Sequence, residues 1–311
     1  NRKDVIMWHC PLCKSSISLN STPIRCNNNH SFDIAKSGYV NLLPVQFKKS
    51  KLPGDDKDMV KARREFHQLN AYKPLKDKMH LLVEHFLTKT GTANNVAGNA
   101  TKQTVSVYDA GCGEGSYLDA MIQGLSRNGF SVKGAGSDIA KIAVDLAAKA
   151  FKYAQFVVAS SFELPLQNET QNVVMQVFAP GSNEEYVRVL KEQGILITVD
   201  PAPNHLFELK QQVYDNARHH QISDAPREGF TRIHNECFSF PIKFADADHA
   251  LALIKMTPFY WKLPQGKIDT IVASLDSVTA DFHIQLWKKD TNKKVLKGQS
   301  KGEQARKDDG R

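Results

Sequence analysis

Short apolar runs alternate with amphipathic stretches through the middle of the chain. The runs are rich in β-branched side chains, which predicts strands buried on both faces. The stretches between them carry apolar residues at helical spacing. Because strand and helix alternate, the pattern predicts an α/β fold with a doubly wound sheet. The predicted strands are residues 105–108, 131–137, 155–159, 172–178 and 194–199, and the predicted helices are residues 116–125 and 182–191.

The last part of the pattern predicts how the sheet is finished. Two further apolar runs, 238–244 and 281–287, enclose a helical stretch at 247–255. This order fits antiparallel finishing strands and a covering helix at one edge of the sheet. Residues 91–104 are rich in Gly, Asn and Thr and predict a loop before the first strand.

The N-terminal segment has too few apolar residues to bury a core, yet it holds three of the five cysteines. Cys10 and Cys13 have the C-x-x-C spacing that grips a metal from a tight turn, and Cys26 and His30 complete four ligands. A structural zinc ion would supply the folding energy of this module. The alternatives are three unrelated thiols or a disulfide, and the latter is disfavoured because Cys112 and Cys237 have no sequence partners.

Positive charge is concentrated in two segments. The chain has a formal net charge of +8. Residues 36–64 hold eight Lys/Arg and three Asp beside aromatic residues, which favours a nucleic-acid surface over a solvated linker. Residues 288–311 hold nine Lys/Arg and four acidic residues and few apolar ones, so we expect a disordered tail. That tail either keeps the protein soluble or holds polyphosphate loosely.

These segments define four expected regions. Residues 1–35 form a zinc-binding module, 36–90 a basic linker with helices that is expected to bind nucleic acid, 91–287 the α/β domain, and 288–311 the basic tail. No apolar run is long enough to cross a bilayer. We therefore expect no membrane partner and a cytoplasmic protein.

A glycine-rich turn follows the first predicted strand of the α/β domain. Asp109 ends the strand, and Gly111, Gly113 and Gly115 allow the backbone to approach a ligand closely. Asp138 ends the second strand, where an acid accepts the hydroxyls of a ribose. The glycine spacing differs from that of dinucleotide sites and P-loops, and the acidic surroundings suit a cationic ligand. The stretch resembles class I S-adenosylmethionine-dependent methyltransferases, which use the same elements.

Two later strand ends bear on the same site. After the third strand, Ser160 and Ser161 stand where many such enzymes have an Asp for adenine, which is a departure from that pattern. His205 follows the fifth strand, at the edge of the sheet where ligands bind. It is either a functional residue or a satisfied structural histidine.

The chain as a whole, from about residue 8 to 287, resembles one family: the zinc-containing bacterial 23S ribosomal RNA guanine-N1 methyltransferases. The resemblance implies zinc on the four ligands above and cofactor contacts at Tyr72, Tyr117, Leu118 and His205. Beyond the zinc ligands, the resemblance is carried by residues 32–46, 53–55, 62–64, 109–115, 158–161, 179–180 and 256–259.

The resemblance implies methyl transfer to N1 of a guanosine in a hairpin loop of 23S ribosomal RNA, and its nearer match to the Gram-negative type implies nucleotide 745. The N1 proton must leave for the lone pair to attack, so a general base is expected. His205 and Asp55 are the candidates, chosen by position. A homodimer is left open.

Two other functions share parts of this pattern. A class I methyltransferase of a small molecule, such as a quinone precursor, would have the same glycine turn and Asp138. It would leave the zinc module and the basic run unexplained. A non-catalytic RNA-binding protein that kept the fold is disfavoured by the intact Asp109 and glycine turn.

Overall fold

The computed structural model describes residues 7–44, 57–91 and 104–291. Asp55, much of the basic run and the tail from residue 292 lie outside the described residues. The N-terminal strands are β1 (Trp8–His9), β2 (Ser16–Ile17), β3 (Ile24–Arg25), β4 (Ser31–Phe32) and β5 (Val40–Asn41). The central elements are α1 (Lys57–Gln68), α2 (Lys73–Lys89), β6 (Thr104–Ala110), α3 (Ser116–Arg127), β7 (Ser131–Asp138), α4 (Lys141–Ala150), β8 (Gln155–Val158), β9 (Gln171–Val177), α5 (Asn183–Val189) and β10 (Leu190–Pro201).

The C-terminal elements complete the domain. They are α6 (Phe207–Val213), β11 (Phe230–Lys243), α7 (Ala247–Lys255), α8 (Gln265–Ser274) and β12 (Ser277–Lys289). Within the described ranges, the large sheet has the order β11-β12-β10-β9-β6-β7-β8-β5. From β5 to β10 neighbouring strands are parallel, and β12 runs antiparallel to both of its neighbours. The predicted doubly wound sheet with an antiparallel last strand is confirmed.

Alternate residues of the central strands bury opposite faces of the sheet, as the pleat requires. Val107, Met175 and Ile197 pack in the core beneath α2 and α3. Tyr108 and Leu196 pack on the other face, in a second core shared with the N-terminal module. Both faces are therefore covered, which explains why the strands read as continuous apolar runs.

Trp8 fixes the N-terminal module to the sheet. Its side chain is fully buried, its ring meets Tyr108 edge-on at 6.1 Å, and its indole N–H donates to Gln155 at 2.8 Å. The backbone N–H of His9 donates to the carbonyl of Pro165. The module is thus part of the fold's second core.

The basic run also enters the fold. β5 extends the sheet beside β8, with Val40 opposite Val157. Leu42 and Leu43 of this run are buried in the two cores. The described part of the run therefore combines core residues with exposed cations.

Element bounds differ from the sequence prediction mainly at the far edge. β11 begins eight residues before the predicted run at 238, and α4, α6 and α8 lack a predicted counterpart. The first half of β11 carries mostly exposed or half-buried polar side chains and has a register shift between Arg232 and His234, so it lacks an apolar signal. Ser182 caps α5 through a hydrogen bond from the N–H of Glu185, and the helix ends where β10 begins.

Candidate active site and metal centre

The four predicted metal ligands form one cluster. Their ligand atoms all lie within 4.8 Å of one another. The Sγ atoms of Cys13 and Cys26 are 3.7 Å apart, and Nδ1 of His30 lies 3.3 Å from Sγ of Cys26 and 3.6 Å from Sγ of Cys10. Zinc–sulfur bonds of about 2.3 Å in a tetrahedron separate ligand atoms by roughly 3.7 Å. The donor set and its spacing therefore fit zinc, with Nδ1 as the imidazole donor.

Tight turns at each ligand pair produce this spacing. The N–H of Lys14 donates to the carbonyl of Cys10, and the N–H of Cys26 to the carbonyl of His30. Lys14 and Asn29 adopt left-handed φ angles of 60° and 62° at these turns. Two short hairpins, β1–β2 and β3–β4, carry the turns, and they are too small to be stable alone.

We expect Cys26→Ser to remove zinc from the protein and to lower the free energy of unfolding by more than about 3 kcal/mol, because metal binding supplies folding energy to such modules. Elemental analysis and thermal unfolding measure both effects. Cys237→Ser is the matched control, since Cys237 is an exposed thiol outside the cluster. Equal zinc content in wild type and Cys26→Ser would contradict the assignment.

A cavity of about 760 Å³ opens at the carboxyl ends of β6, β7, β9 and β10. The sequence-predicted residues that line it are Gly111, Gly113, Tyr117, Asp138, His205 and Tyr72. Parallel strands bring these distant segments together because their carboxyl ends share one edge of the sheet.

The glycine turn has the backbone that the sequence predicts. Gly111, Gly113 and Gly115 have φ angles of 89°, 53° and 91°. A Cβ on Gly111 would lie 2.4 Å from Cβ of Ala179, and one on Gly115 would lie 2.9 Å from Phe151. Gly111 thus permits close approach of the β9 exit segment, while Gly115 lets α3 begin against α4.

Three carboxylates surround this turn. Asp138 accepts hydrogen bonds from the backbone N–H groups of Gly113 at 2.9 Å and Ala140 at 2.8 Å. Both carboxylate oxygens of Asp109 are buried without a hydrogen-bond partner in the described residues. Burial and the nearby charges of Asp138 and Glu114 raise the pKa of Asp109 to about 8. The site therefore concentrates acidic groups beside the cavity.

Aromatic side chains form much of the wall. Tyr72, at the start of α2, is held edge-on against Phe282 at 5.1 Å. Its hydroxyl lies 3.4 Å from Nε2 of His205. Nδ1 of His205 accepts from the backbone N–H of Asp281 at 3.3 Å, and burial lowers the pKa of His205 to about 3. The histidine is therefore neutral, with its proton on Nε2.

The structure separates the remaining predicted residues from the cavity wall. Leu118 is fully buried in the core, and Gly115 lies at the N-cap of α3. Asp109 is buried directly before the part of the turn that lines the cavity. Asp55 lies outside the described residues.

The cavity is also lined by residues that the sequence did not predict to lie there. Arg63 and His67 reach the cavity from α1, and a Cβ on Gly113 would lie 4.0 Å from Nη1 of Arg63. Phe178 lines the cavity with a left-handed φ of 53°, a costly conformation that marks functional segments. The stretch 62–64 contributes to the family resemblance and includes Arg63, but the sequence does not show that Arg63 lies beside the cavity.

Comparisons with known proteins agree with this architecture. A family model described as "RlmA, N-terminal", a zinc ribbon, matches residues 8–51. The Bacillus subtilis (strain 168) protein provisionally named 23S rRNA (guanine-N(1)-)-methyltransferase YxjB is 32% identical over 292 residues, covering 90% of this chain and 96% of that protein. The 23S rRNA (guanine(748)-N(1))-methyltransferase of Streptomyces fradiae is 33% identical over 210 residues, covering 67% and 68%. The chain belongs to the 23S rRNA (guanine-N1)-methyltransferase family.

As a member of this family, the protein is a methyltransferase that uses S-adenosylmethionine and carries structural zinc in its N-terminal ribbon. The residues present fit this cofactor. Glu114 lines the cavity with the buried Asp109 beside it, which favours a ligand with positive charge, and the strand-end Asp138 suits ribose hydroxyls. Within the described ranges, every helix is too short or too polar to cross a bilayer.

Proposed function

We propose that this chain transfers a methyl group from S-adenosylmethionine to N1 of a guanosine in a hairpin loop of 23S ribosomal RNA. The main support for this proposal is the cofactor cavity, which the basic helix α1 bounds on one side. The same chain holds a zinc ribbon. N1 lies on the Watson–Crick edge, so the target base must be unpaired or flipped out. A loop guanosine meets that need.

The chain's residues position the reactants. The cofactor supplies a methyl group that its positive sulfur activates. Asp138 would hold the ribose, Gly111 and Gly113 bring the backbone close, and Tyr72 and Tyr117 exclude water from one side. Alignment and desolvation are the main contributions such a site makes to an already activated transfer.

His205 suits a positioning role better than that of the base. Its Nδ1 lone pair is engaged by Asp281 N–H and its Nε2 faces Tyr72. A histidine with a pKa of about 3 is a weak proton acceptor at neutral pH. We propose that His205 forms part of the cofactor wall, and Asp55 stays a sequence-based candidate for the base.

The exposed cations of α1 would hold the RNA backbone. Lys57 and Lys61 are exposed on the helix whose Arg63 reaches the cavity, so phosphate binding there would place a base near the reaction site. Single-stranded and looped RNA is read by splayed bases and shape, with phosphates setting position.

We expect Lys57→Gln/Lys61→Gln to weaken binding of the unmodified hairpin and to make the slope of log K against log salt shallower by about 1–2, because two phosphate contacts are lost. Fluorescence anisotropy at several salt concentrations measures the slope. Lys267→Gln on α8, an exposed lysine on another helix, is the control. If RNA binding by the wild type does not depend on the salt concentration, this part of the proposal is wrong.

The two other functions predict different results. A small-molecule methyltransferase would bind the cofactor but leave RNA unmethylated, and the zinc ribbon would have no role. A non-catalytic RNA-binding protein would show no cofactor binding by calorimetry. The acidic glycine turn and the cavity favour a catalytic protein.

Primer extension on 23S ribosomal RNA after treatment with enzyme and cofactor tests the proposal, because N1 methylation blocks Watson–Crick pairing. We expect one stop at a loop guanosine. The resemblance predicts nucleotide 745, whereas the Streptomyces fradiae relative is named for 748, and the position of the stop distinguishes them. Cofactor binding without any stop would favour the small-molecule alternative.

A cytoplasmic location follows from a ribosomal RNA substrate and stays a prediction. A homodimer is also a prediction, and light scattering of the purified protein with and without the hairpin tests it.

A further inference from the structure

A second, polar cavity of about 540 Å³ adjoins the cofactor cavity. The two share Phe162 and Pro180 as a common wall. Phe162 is 58% exposed, so its ring is free to stack with a planar group that enters from solvent. The remaining lining is mostly hydrogen-bonding, and includes Gln176, Asn183, Asp200, Ser223, Arg227 and Gln285.

Asp200 and Pro201 are consecutive residues of β10 that line different cavities. Pro201 lines the cofactor cavity, whereas Asp200 lines the polar one. Within the described ranges, the carboxylate of Asp200 receives no hydrogen bond. Asp200 is half-buried and lines the cavity, so its carboxylate is accessible to a ligand donor.

The polar cavity also presents fixed donors. Nη1 of Arg227 donates to Oε1 of Gln176 at 3.2 Å and to Oδ1 of Asn183 at 2.9 Å. The guanidinium also lies over the Trp287 ring, 5.6 Å from its centroid. These contacts hold Arg227 in place, so the wall of the polar cavity holds a rigid cation as well as the carboxylate of Asp200.

That pairing matches one nucleobase edge. Guanine presents N1–H and the 2-amino group as donors beside the O6 acceptor, so a carboxylate and an arginine can bind it together. Adenine lacks the N1 proton and the 2-amino group. Resting on the proposed function, we infer that the polar cavity seats the target guanine against Phe162, with Asp200 as the catalytic base at N1 and Arg227 at O6.

Asp200 takes the N1 proton, and the N1 lone pair forms the new bond to the methyl carbon. The electron pair of the broken carbon–sulfur bond stays with sulfur, which becomes a neutral thioether. The proton on Asp200 then passes to solvent.

The surroundings suit Asp200 to this task. Burial raises the pKa of its carboxyl, while the charges of Arg227 and His283 oppose the shift. A raised pKa makes a carboxylate a stronger proton acceptor. The charged and titratable groups around it are Arg227 in the loop before β11, His283 on β12, and Tyr186 on α5.

Asp200→Asn tests the inference, because the amide keeps the shape but cannot accept the proton. We expect the single-turnover rate of methyl transfer to unmodified 23S RNA to fall at least 100-fold. Calorimetry should give unchanged cofactor affinity. The wild-type rate should rise with pH as Asp200 ionises and then level off, and that levelling should vanish in the variant.

Asp224→Asn is the matched control. Asp224 lies in the loop before β11, between the cavity-lining residues Ser223 and Ala225, but its carboxylate accepts from Arg232 and Asn235 and does not line the cavity. The control removes one negative charge near the RNA and should keep the rate within about twofold, since an exposed surface substitution has little effect.

The outcomes separate this inference from the proposed function. A loss of at least 100-fold with the altered pH profile supports Asp200 as the base. A smaller loss, or an unchanged profile, overturns the inference while wild-type methylation at N1 still stands. Absence of RNA methylation by the wild type would instead overturn the proposed function.

Discussion

Gly111→Ala should abolish measurable S-adenosylmethionine binding, with a loss of affinity of at least about 100-fold. The added Cβ would lie 2.4 Å from Cβ of Ala179, a separation that forces the backbone to shift. Both residues line the cofactor cavity, so the two walls are pushed apart where the cofactor enters. The φ of 89° adds strain, and together we expect the free energy of unfolding to fall by about 2–4 kcal/mol.

Gly129→Ala separates the steric effect from the backbone effect. Gly129 has a φ of 94°, close to that of Gly111, but nothing lies within 4 Å of the added Cβ. It should cost about 1–2 kcal/mol of stability and leave cofactor affinity unchanged. Calorimetry and chemical denaturation of both variants provide the comparison. Normal cofactor binding by Gly111→Ala would show that the β9 exit segment is not fixed against the turn.

Asp109→Asn should stabilise the cofactor-free protein while weakening cofactor binding about 10- to 100-fold. Asp109 has a pKa of about 8 in the folded protein against an ordinary value of 3.8. Between those two values the unfolded chain has lost this proton and the folded one retains it, so wild-type stability falls as pH rises through that range. The amide cannot ionise, and at about pH 8 the variant should be more stable by about 1–3 kcal/mol.

Cofactor binding should favour the ionised form of Asp109, which is unfavourable in the cofactor-free protein. A bound cation stabilises the ionised Asp109, whose carboxylate oxygens otherwise lack partners in the described residues. The affinity gap between wild type and variant should therefore widen as pH rises. Denaturation and calorimetry across the pH range measure both quantities.

Asp145→Asn is a control with the opposite sign. Asp145 accepts hydrogen bonds from Ser37 and Lys149, and these contacts lower its pKa. The ionised Asp145 stabilises the folded protein above the ordinary carboxyl pKa, and this stabilisation is lost as pH falls. The variant should therefore be slightly less stable than the wild type at neutral pH. Its cofactor affinity should be unchanged. Equal stability of wild type and Asp109→Asn at every pH would contradict the role given to Asp109.

Local signals are enough to bring the residues at the centre of the cavity wall together. The apolar run of β6, the glycine turn and the acid at the end of β7 are encoded within about thirty residues, and one rule of parallel sheets brings their ends together. The zinc ligands are likewise close in sequence, and each pair needs only one tight turn. The resemblance added Tyr72, whose own surroundings indicate only a helix start.

The other residues of the two cavities are positioned by long-range packing, which the sequence pattern does not show. Arg63 and His67 reach the cavity because α1 packs on α4 through Val60, a contact that periodicity does not reveal. Leu118 follows Tyr117 directly, yet the turn of α3 points it into the core. The role inferred for Asp200 depends on which way the pleat of β10 directs one side chain, and the sequence shows only an acidic residue at a strand end.

Identification of the modified nucleoside tests the central claim most directly. Unmodified 23S ribosomal RNA is treated with the full-length enzyme and S-adenosylmethionine, digested to nucleosides and analysed by mass spectrometry against synthetic standards. The account predicts 1-methylguanosine as the one new methylated nucleoside, formed by the wild type and strongly reduced for Gly111→Ala. A different methylated nucleoside, or none while the cofactor binds tightly, would contradict it.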